Sequence, residues 1–215
     1  MEDSQSVTAA GRTNWRRFAV AVGVPTAVAT GLVVALAQGA LAANITVSGT
    51  QFKLTADHLE GSGFTQYSGQ LKDADGKPIL AAMSGINHAD IYNLCQSVLA
   101  PGGIATLKIT AATTAKFDAG NPNGSAANAV QADDLLIGMS ELGGDATFKD
   151  IEIGRDASLV DADGAKEHGA KGGFAQQASG VSIDKLQQQA YLTTASSFKL
   201  KGMSLKLLGG KQECF

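Results

Sequence analysis

A serine flanked by glycines is the first feature of the sequence that could support chemistry. The run Gly138-Met-Ser140-Glu-Leu142-Gly143 approaches the Gly-x-Ser-x-Gly elbow of the α/β hydrolases, but its second glycine is displaced by one position. Because catalytic triads assemble on unrelated folds, one set can be named: Ser140 as nucleophile with His88 and Asp90. The competing interpretation, a solvent-facing serine on a strand or turn, fits the sequence better.

Metal and cofactor sites are not indicated by the spacing of the potential ligands. Three widely separated histidines, His58, His88 and His168, have no cysteine or carboxylate partners at ligand spacing. Asp-x-Asp-Gly occurs at 73–76 and at 161–164, but neither copy continues to the distal glutamate of a calcium loop. Both copies predict Asp-Gly turns, and we expect no cofactor and no metal.

Two cysteines, Cys95 and Cys214, are the only ones in the chain. In an exported protein they would pair and tie the C-terminal end to the body of the domain. The chain-entropy model gives about 4–5 kcal/mol for so long a loop. The alternative is two separate thiols, with Cys95 buried as a small hydrophobic side chain.

Short apolar alternations predict that the region after residue 43 is built mainly from β-strands. Apolar residues recur at every second position in 45–47, 52–56, 107–109 and 205–207, which is typical of half-buried strands. A helix is the alternative for 174–192, where glutamines are frequent. Loops are predicted at 68–78, 110–128 and 154–173, which are rich in Gly, Ala, Asn and Asp.

A second pattern places an apolar residue, a polar residue, then Gly, Asp or Asn, and another apolar residue. It occurs as Met83-Ser-Gly-Ile86, Ile91-Tyr-Asn-Leu94, Ala132-Asp-Asp-Leu135, Phe148-Lys-Asp-Ile151, Ala178-Ser-Gly-Val181 and Leu200-Lys-Gly-Met203. We interpret it as a bend whose third residue tolerates left-handed backbone angles. Repeated bends predict a strongly curved sheet or an irregular β-solenoid-like domain, with an ordinary β-sandwich as the alternative.

The N-terminal region carries an uncharged hydrophobic segment that begins at Phe18 and ends at Ala37. As a helix it would cover about 30 Å, the thickness of a bilayer core. Three arginines, Arg12, Arg16 and Arg17, precede it and should stay cytoplasmic, which places the rest of the chain outside. The predicted organisation is a basic segment at 1–17, a transmembrane helix or signal peptide at 18–43, and an extracytoplasmic β-rich domain at 44–215.

Whether this segment is retained is open at the level of sequence. Ala40-Leu41-Ala42-Ala43 fits a cleavage site after Ala42, which would make the protein secreted. The apolar run is longer than an ordinary signal peptide requires, which favours a membrane anchor. The Arg16-Arg17 pair is typical of twin-arginine export, although its flanking residues fit poorly.

The composition bears on nucleic-acid binding and on the make-up of the core. A formal charge of −3 without a Lys/Arg-rich run gives no indication of nucleic-acid binding. The chain is 44% hydrophobic but only 6% aromatic, so its core must be largely aliphatic.

The chain resembles an actinobacterial, chiefly streptomycete, family of exported proteins of unknown function. The resemblance covers nearly the whole chain and rests on Gly11-Arg-Thr-x-Trp-Arg-Arg-Phe18, Ala37-Gln-Gly-Ala-Leu-Ala42, Gly61-x-Gly-Phe-x-Gln-Tyr67, Leu94-Cys-Gln-Ser97, Asp145-Ala-Thr-Phe-Lys-Asp150, Phe174-Ala-Gln-Gln-Ala178 and Glu213-Cys-Phe215. Some relatives carry the label cholesterol esterase, which implies hydrolysis of sterol esters outside the cell. The resemblance supplies no catalytic residue.

Three functions follow as expectations. The first is a domain, tethered or secreted, whose aliphatic inner face binds a lipid or docks a membrane-protein partner. The second is a sterol-ester hydrolase, and the third is a subunit of a surface assembly. Membrane lipid is the expected partner in the first, and a sterol ester the expected ligand in the second.

Overall fold

The computed structural model describes residues 46–162 and 168–215. The basic segment with its three arginines, the apolar segment from Phe18 to Ala37 and the cleavage site after Ala42 lie outside the described residues. The second Asp-x-Asp-Gly pattern lies only partly within them.

The described chain is dominated by long antiparallel strands. In chain order the elements are β1 (Thr46–Val47), β2 (Phe52–Asp73), β3 (Pro78–Tyr92), β4 (Leu94–Leu99), a 3-10 turn (Pro101–Gly103), β5 (Ala105–Ala111), α1 (Pro122–Ala126), β6 (Val130–Lys149), β7 (Glu152–Asp156), β8 (Phe174–Thr194), β9 (Ser197–Lys199) and β10 (Ser204–Gly209).

Four of these strands close into a small barrel. β2 pairs with β3, β3 with β6, β6 with β8, and β8 returns to β2, and every one of these pairings is antiparallel. The prediction of a mainly β domain is confirmed. The sheet curves until it meets itself, whereas a solenoid would stack successive coils without closure.

Left-handed backbone positions mark bends in the chain, most of them at the junctions between strands. Asn93, Asp134, Asp150 and Gly202 have φ angles of 55°, 51°, 51° and 61°. Each is the third residue of the apolar-polar-x-apolar pattern, so the predicted bend is confirmed at four of its six copies. Asn93 occupies the corner between β3 and β4, where the chain leaves the barrel.

The barrel interior is filled by side chains. Barrels of eight strands have interiors just wide enough for side chains, and this one has half that number. At Gly61, an added Cβ would lie 3.0 Å from side-chain atoms of Ile86 and of Val181. The barrel interior around Gly61 is therefore packed with side chains and leaves no open space there.

Three further strands extend the sheet beyond the barrel, and we call them the wing: β4, β5 and β10. β4 pairs with the first residues of β2, β5 pairs with β4, and β10 pairs with β5. The wing thus continues the barrel wall as an open sheet.

Two predicted local structures are corrected by the strand pairing. Residues 174–192 lie in β8 and form no helix, because two strands, β2 and β6, take up their backbone hydrogen bonds. Residues 68–73 belong to β2, so the first predicted loop shrinks to a hairpin turn. The loop at 112–129 is confirmed and holds only α1, which is capped by Asn121.

Candidate ligand-binding groove

An open groove lies between the wing and the segment that follows β8, and we call it the wing groove. It has a volume of about 480 Å³ and is lined by Leu94, Gln96, Ile109, Thr193, Thr194, Ala195, Phe198 and Leu200. Its floor comes from β4 and β5, and its far wall from the end of β8 and from β9.

The far wall is held in place by hydrogen bonds to β6. β9 pairs with β6 at Ser197 and Asp133, and the Ser196 amide donates to the Asp133 carbonyl oxygen at 2.9 Å. The Ser196 hydroxyl donates to the same oxygen at 3.1 Å. These contacts fix the segment that carries Phe198 and Leu200 across the mouth of the groove.

The groove is mostly apolar, and the hydroxyl of one residue that lines it is shielded from solvent. Thr193 Oγ1 is buried and has no hydrogen-bond partner among the described residues. Gln188 Nε2, in a side chain only 2% exposed, is likewise buried without a described partner. Gln188 lies opposite Leu54, which lies opposite Gln96, so both glutamines face the same side of the sheet. Buried polar atoms normally have hydrogen-bond partners, so Thr193 Oγ1 and Gln188 Nε2 are unusual.

The floor of the groove continues outward as an exposed apolar surface, which we call the leucine face: Leu107, Leu205 and Leu207. These side chains are 37%, 54% and 73% exposed. Leu205 pairs with Ile109 of the groove, and Leu207 pairs with Leu107. Since directly paired residues point to one side of a sheet, groove and leucine face form one continuous surface.

The opposite face of the wing is covered by the C-terminal tail. Cys95 and Cys214 form a disulfide that spans 119 residues of sequence, as predicted. The Cys214 amide donates to Ser97 Oγ at 3.0 Å, and Lys53 donates to the carbonyl oxygen of Phe215 at 2.9 Å. One side of the wing is therefore closed and stapled, while the other is open and apolar.

The proposed catalytic set is not assembled. His88 pairs across the sheet with Asp133, while Ser140 lies seven positions further along β6, about 23 Å away at strand spacing. Ser140 accepts from Gln51 Nε2 and donates to the Gln189 carbonyl oxygen, with no histidine in contact.

The histidines serve instead in local polar contacts. His88 places Nδ1 2.6 Å from Asp133 Oδ1 and Nε2 3.6 Å from Asp90 Oδ1. His88 and Asp90 are thus brought together, but without the serine.

His58 forms the more buried of these histidine contacts. Its Nδ1 lies 2.7 Å from Asp184 Oδ1, and its ring stacks on Phe117 at 3.9 Å between centroids. Among the described residues no group of three or more His, Cys, Asp or Glu side chains has the arrangement of a metal site.

A second apolar groove on the surface of the barrel contains Ser140. We call it the end groove; it has a volume of about 460 Å³, and its lining includes Tyr67, Leu80, Met139, Ser140 and Phe174. Leu80 is 79% and Phe174 61% exposed. Sequence reasoning singled out Ser140 but missed both grooves, because their walls come from strands far apart in the chain.

Among the described residues, three ionisable groups have shifted pKa values, and none of them lines the wing groove. Burial raises the pKa of Tyr92, whose hydroxyl contacts Ser125. The Ser158 and Gly172 amides, followed by the Ser158 hydroxyl, lower the pKa of Asp156. A hydrogen bond from Lys185 to Asp145 raises the pKa of that lysine. These shifts accompany structural contacts at strand ends and surface pairs.

The fold and its grooves define a small, disulfide-linked β-barrel domain with an open apolar surface. The chain belongs to a family of unknown function, DUF6230, whose model matches residues 48–215. No curated protein and no solved structure matches the chain significantly. Within the described ranges, no helix is both long enough and apolar enough to cross a membrane.

Proposed function

We propose that this chain is an extracytoplasmic binding domain that holds the acyl chain of a membrane lipid in the wing groove. The observation that carries the proposal is the continuity of an open, apolar groove with the exposed leucine face. Its volume of about 480 Å³ lies within the range typical of small-molecule sites. Exposed apolar surface of this kind marks interaction sites on soluble domains.

The polar atoms of the groove support a lipid with a carbonyl group rather than a plain hydrocarbon. Gln96 and Thr194 line the groove, and each side chain can donate a hydrogen bond to an ester or carboxyl oxygen. A few polar groups in an apolar site orient the ligand, because each buried donor left unpaired is unfavourable.

The disulfide supports a location outside the cytoplasm. Such bonds persist in oxidising compartments and are rare in reducing ones. The uncharged segment from Phe18 to Ala37, preceded by arginines, is the sequence feature that would deliver the domain to the outer side of the membrane. A retained segment would keep the groove near the lipid surface.

The hydrolase hypothesis receives no support from the geometry. Ser140 and His88 lie about 23 Å apart at strand spacing, and a nucleophile must lie within hydrogen-bond reach of its base. Ester hydrolysis by this set is therefore not part of the proposal.

Photolabelling of the full chain with a diazirine-bearing palmitate tests the proposal. Peptides that contain 94–98, 107–109 and 193–200 should carry the label, and unlabelled palmitate should compete for it. Phe198→Ser removes an aromatic wall of the groove and should weaken labelling about tenfold, as the loss of about 1.5 kcal/mol of apolar contact predicts.

The matched control is Phe174→Ser, the same change at an exposed phenylalanine of the end groove. It should leave labelling of the wing peptides unchanged. Label confined to the end-groove peptides, or equal loss in both variants, would overturn the assignment of the site.

A further inference from the structure

The wing and the barrel carry charges of opposite sign. Residues 94–117 and 197–212, which hold the wing strands and the segments beside them, contain six lysines and no carboxylate: Lys108, Lys116, Lys199, Lys201, Lys206 and Lys211. The four barrel strands contain nine carboxylates against four lysines. The wing is therefore a region of positive charge on a domain that is otherwise acidic.

Most of the wing lysines have no acidic partner within the chain. Lys211 lies 3.3 Å from Glu213, and none of the other five is within ion-pair distance of a carboxylate among the described residues. Lys206 and Lys108 are directly paired across β10 and β5, and like charges at opposed positions are unfavourable. An anionic partner would relieve this repulsion.

The same region exposes large apolar side chains. Besides the leucine face, Met203 is 51% exposed just before β10, and Ile104 is 76% exposed just before β5. Contiguous exposed apolar surface next to polar groups marks a site of interaction with another molecule or with a membrane.

The lysines lie close enough to the leucine face to act on the same partner. Lys199 and Lys201 are exposed and flank Leu200 of the wing groove in sequence. Lys206 and Lys108 point to the other side of the sheet, because adjacent positions of a strand alternate. A single sheet is about 10 Å thick, close to the Debye length of about 8 Å, so these two charges still act at the leucine face. Lys206 also belongs to the last strand of the wing, and its flexible side chain can reach round the edge.

Apolar side chains within a cationic surface fit an anionic lipid bilayer better than other partners. Leucines can enter the boundary between headgroups and acyl chains, and each lysine near an anionic leaflet strengthens binding about fivefold. A nucleic acid would contact the lysines but leave the leucines in water. An apolar protein surface would cover the leucines but leave the lysines unpaired.

We propose that the wing docks on an anionic lipid bilayer, with the leucine face in the headgroup region and the surrounding lysines on the lipid phosphates. Leu205 and Leu207 enter the bilayer boundary, and Lys199, Lys201 and Lys206 bind the headgroups beside them. Docking requires no ligand in the wing groove, although it would bring the groove to the lipid that we propose it holds.

Depth measurements on the full chain in lipid nanodiscs test this surface. The apolar segment from Phe18 to Ala37 would by itself hold the chain on a bilayer, so the readout is the depth of the wing rather than binding of the protein. A fluorophore attached to Leu207→Cys should be quenched by doxyl groups on the lipid chains when the discs contain phosphatidylglycerol. In discs of phosphatidylcholine alone the quenching should be lost.

The matched control is the same fluorophore on Leu80→Cys. Leu80 is 79% and Leu207 73% exposed, and Leu80 lines the apolar end groove, so exposure and apolar surroundings are comparable. The label at Leu80 should stay unquenched in both kinds of disc. Quenching at Leu80 without quenching at Leu207 would place the end groove on the bilayer and overturn the proposal. A label at Leu207 that stays unquenched in both discs, with the Cys95–Cys214 bond intact by mass spectrometry, would overturn it as well.

Neutralised lysines provide an independent arm. Lys201→Gln with Lys206→Gln, added to Leu207→Cys, should lower the ratio of quenched to unquenched label about tenfold. Lys72→Gln with Lys77→Gln removes two exposed lysines at the barrel hairpin and should leave that ratio unchanged. Equal effects of the two pairs, or equal quenching in charged and neutral discs, would refute the role of the wing charge.

The docking surface and the wing groove can fail separately. Palmitate labelling of the wing groove needs no bilayer, and quenching at Leu207 needs no ligand in the groove. Lost labelling with intact quenching would count against the groove alone, and the reverse result would count against the docking surface alone.

Discussion

The barrel and the wing are parts of one sheet, yet they solve the problem of strand edges in different ways. In the barrel each strand is paired on both sides over much of its length, and the interior is packed with aliphatic side chains. In the wing one face is covered by a tail held by a disulfide, and the other is open. Closure gives stability without a cavity, whereas the open wing provides a surface at which binding is feasible.

This contrast explains why a covalent bond lies where it does. The barrel strands contain 22, 15, 20 and 21 residues and bury a continuous core between them. The wing strands β4, β5 and β10 contain 6, 7 and 6 residues, and few of their side chains are buried. Short strands with little core need another source of stability, and the staple to Cys214 supplies it.

The largest effect should come from a cavity in the barrel. Leu186 is 2% exposed in the main core, so Leu186→Ala should lower the free energy of unfolding by about 4 kcal/mol. Chemical denaturation of the full chain measures it. Because the wing is built on β2, barrel and wing should unfold together in this variant. A loss confined to the wing would contradict the view that the barrel is the independent unit.

A smaller and more local effect is expected from removing the staple. The double change of Cys95 and Cys214 to Ala should cost about 3 kcal/mol, less than the chain-entropy figure because a real unfolded chain retains some structure. Hydrogen exchange should then rise in β5, β10 and the tail, while β2, β3, β6 and β8 keep their protection. Equal deprotection of all strands would show that wing and barrel form a single cooperative unit.

The smallest effect should come from removing one carboxylate that accepts hydrogen bonds at the start of the loop after β7. Asp156 accepts from the Ser158 and Gly172 amides, which lower its pKa below the ordinary value of 3.8. The folded pKa lies below the unfolded one, so this stabilisation is complete above about pH 4 and is lost as pH falls through the lowered value. Asp156→Asn should reduce Tm by about 1–2 °C at neutral pH.

Thermal melting at several pH values checks the sign of this effect. The difference in Tm between Asp156→Asn and the unsubstituted chain should shrink as the pH falls below 4. A difference that grows in acid would mean that the carboxylate destabilises the loop.

The fold class and several of the bends could be predicted from the sequence because local residue patterns specify them. Left-handed positions occupied by Asn, Asp or Gly can be predicted from the sequence, because those residues tolerate positive φ. Lys185, with φ of 52°, is the third residue of the same pattern in Ile183-Asp-Lys-Leu186, but lysine is not a residue type that favours positive φ. The spacing of the apolar residues alone would have predicted the bend at Lys185 if the third residue had not been restricted to Gly, Asp or Asn.

Closure and the grooves were beyond reach because they depend on pairings between distant strands. β2 joins β8 across more than a hundred residues, for example Phe52 with Ala190, and no local pattern specifies that partner. The alternation of Leu205 and Leu207 correctly predicted a strand, but it gave no sign that the apolar side faces outward. The disulfide could be predicted because the chain has only two cysteines, whereas the wing groove could not.

The disulfide also determines how the domain would respond to mechanical force. Tension applied between β1 and the C-terminus passes from Cys95 directly to Cys214, so the stretch of chain between these two residues, which are 119 positions apart in sequence, is shielded from extension. Fully stretched, that shielded stretch would measure about 400 Å. A reductant would therefore release a long hidden length of chain. The bond thus makes the domain short and stiff under load for as long as its surroundings are oxidising.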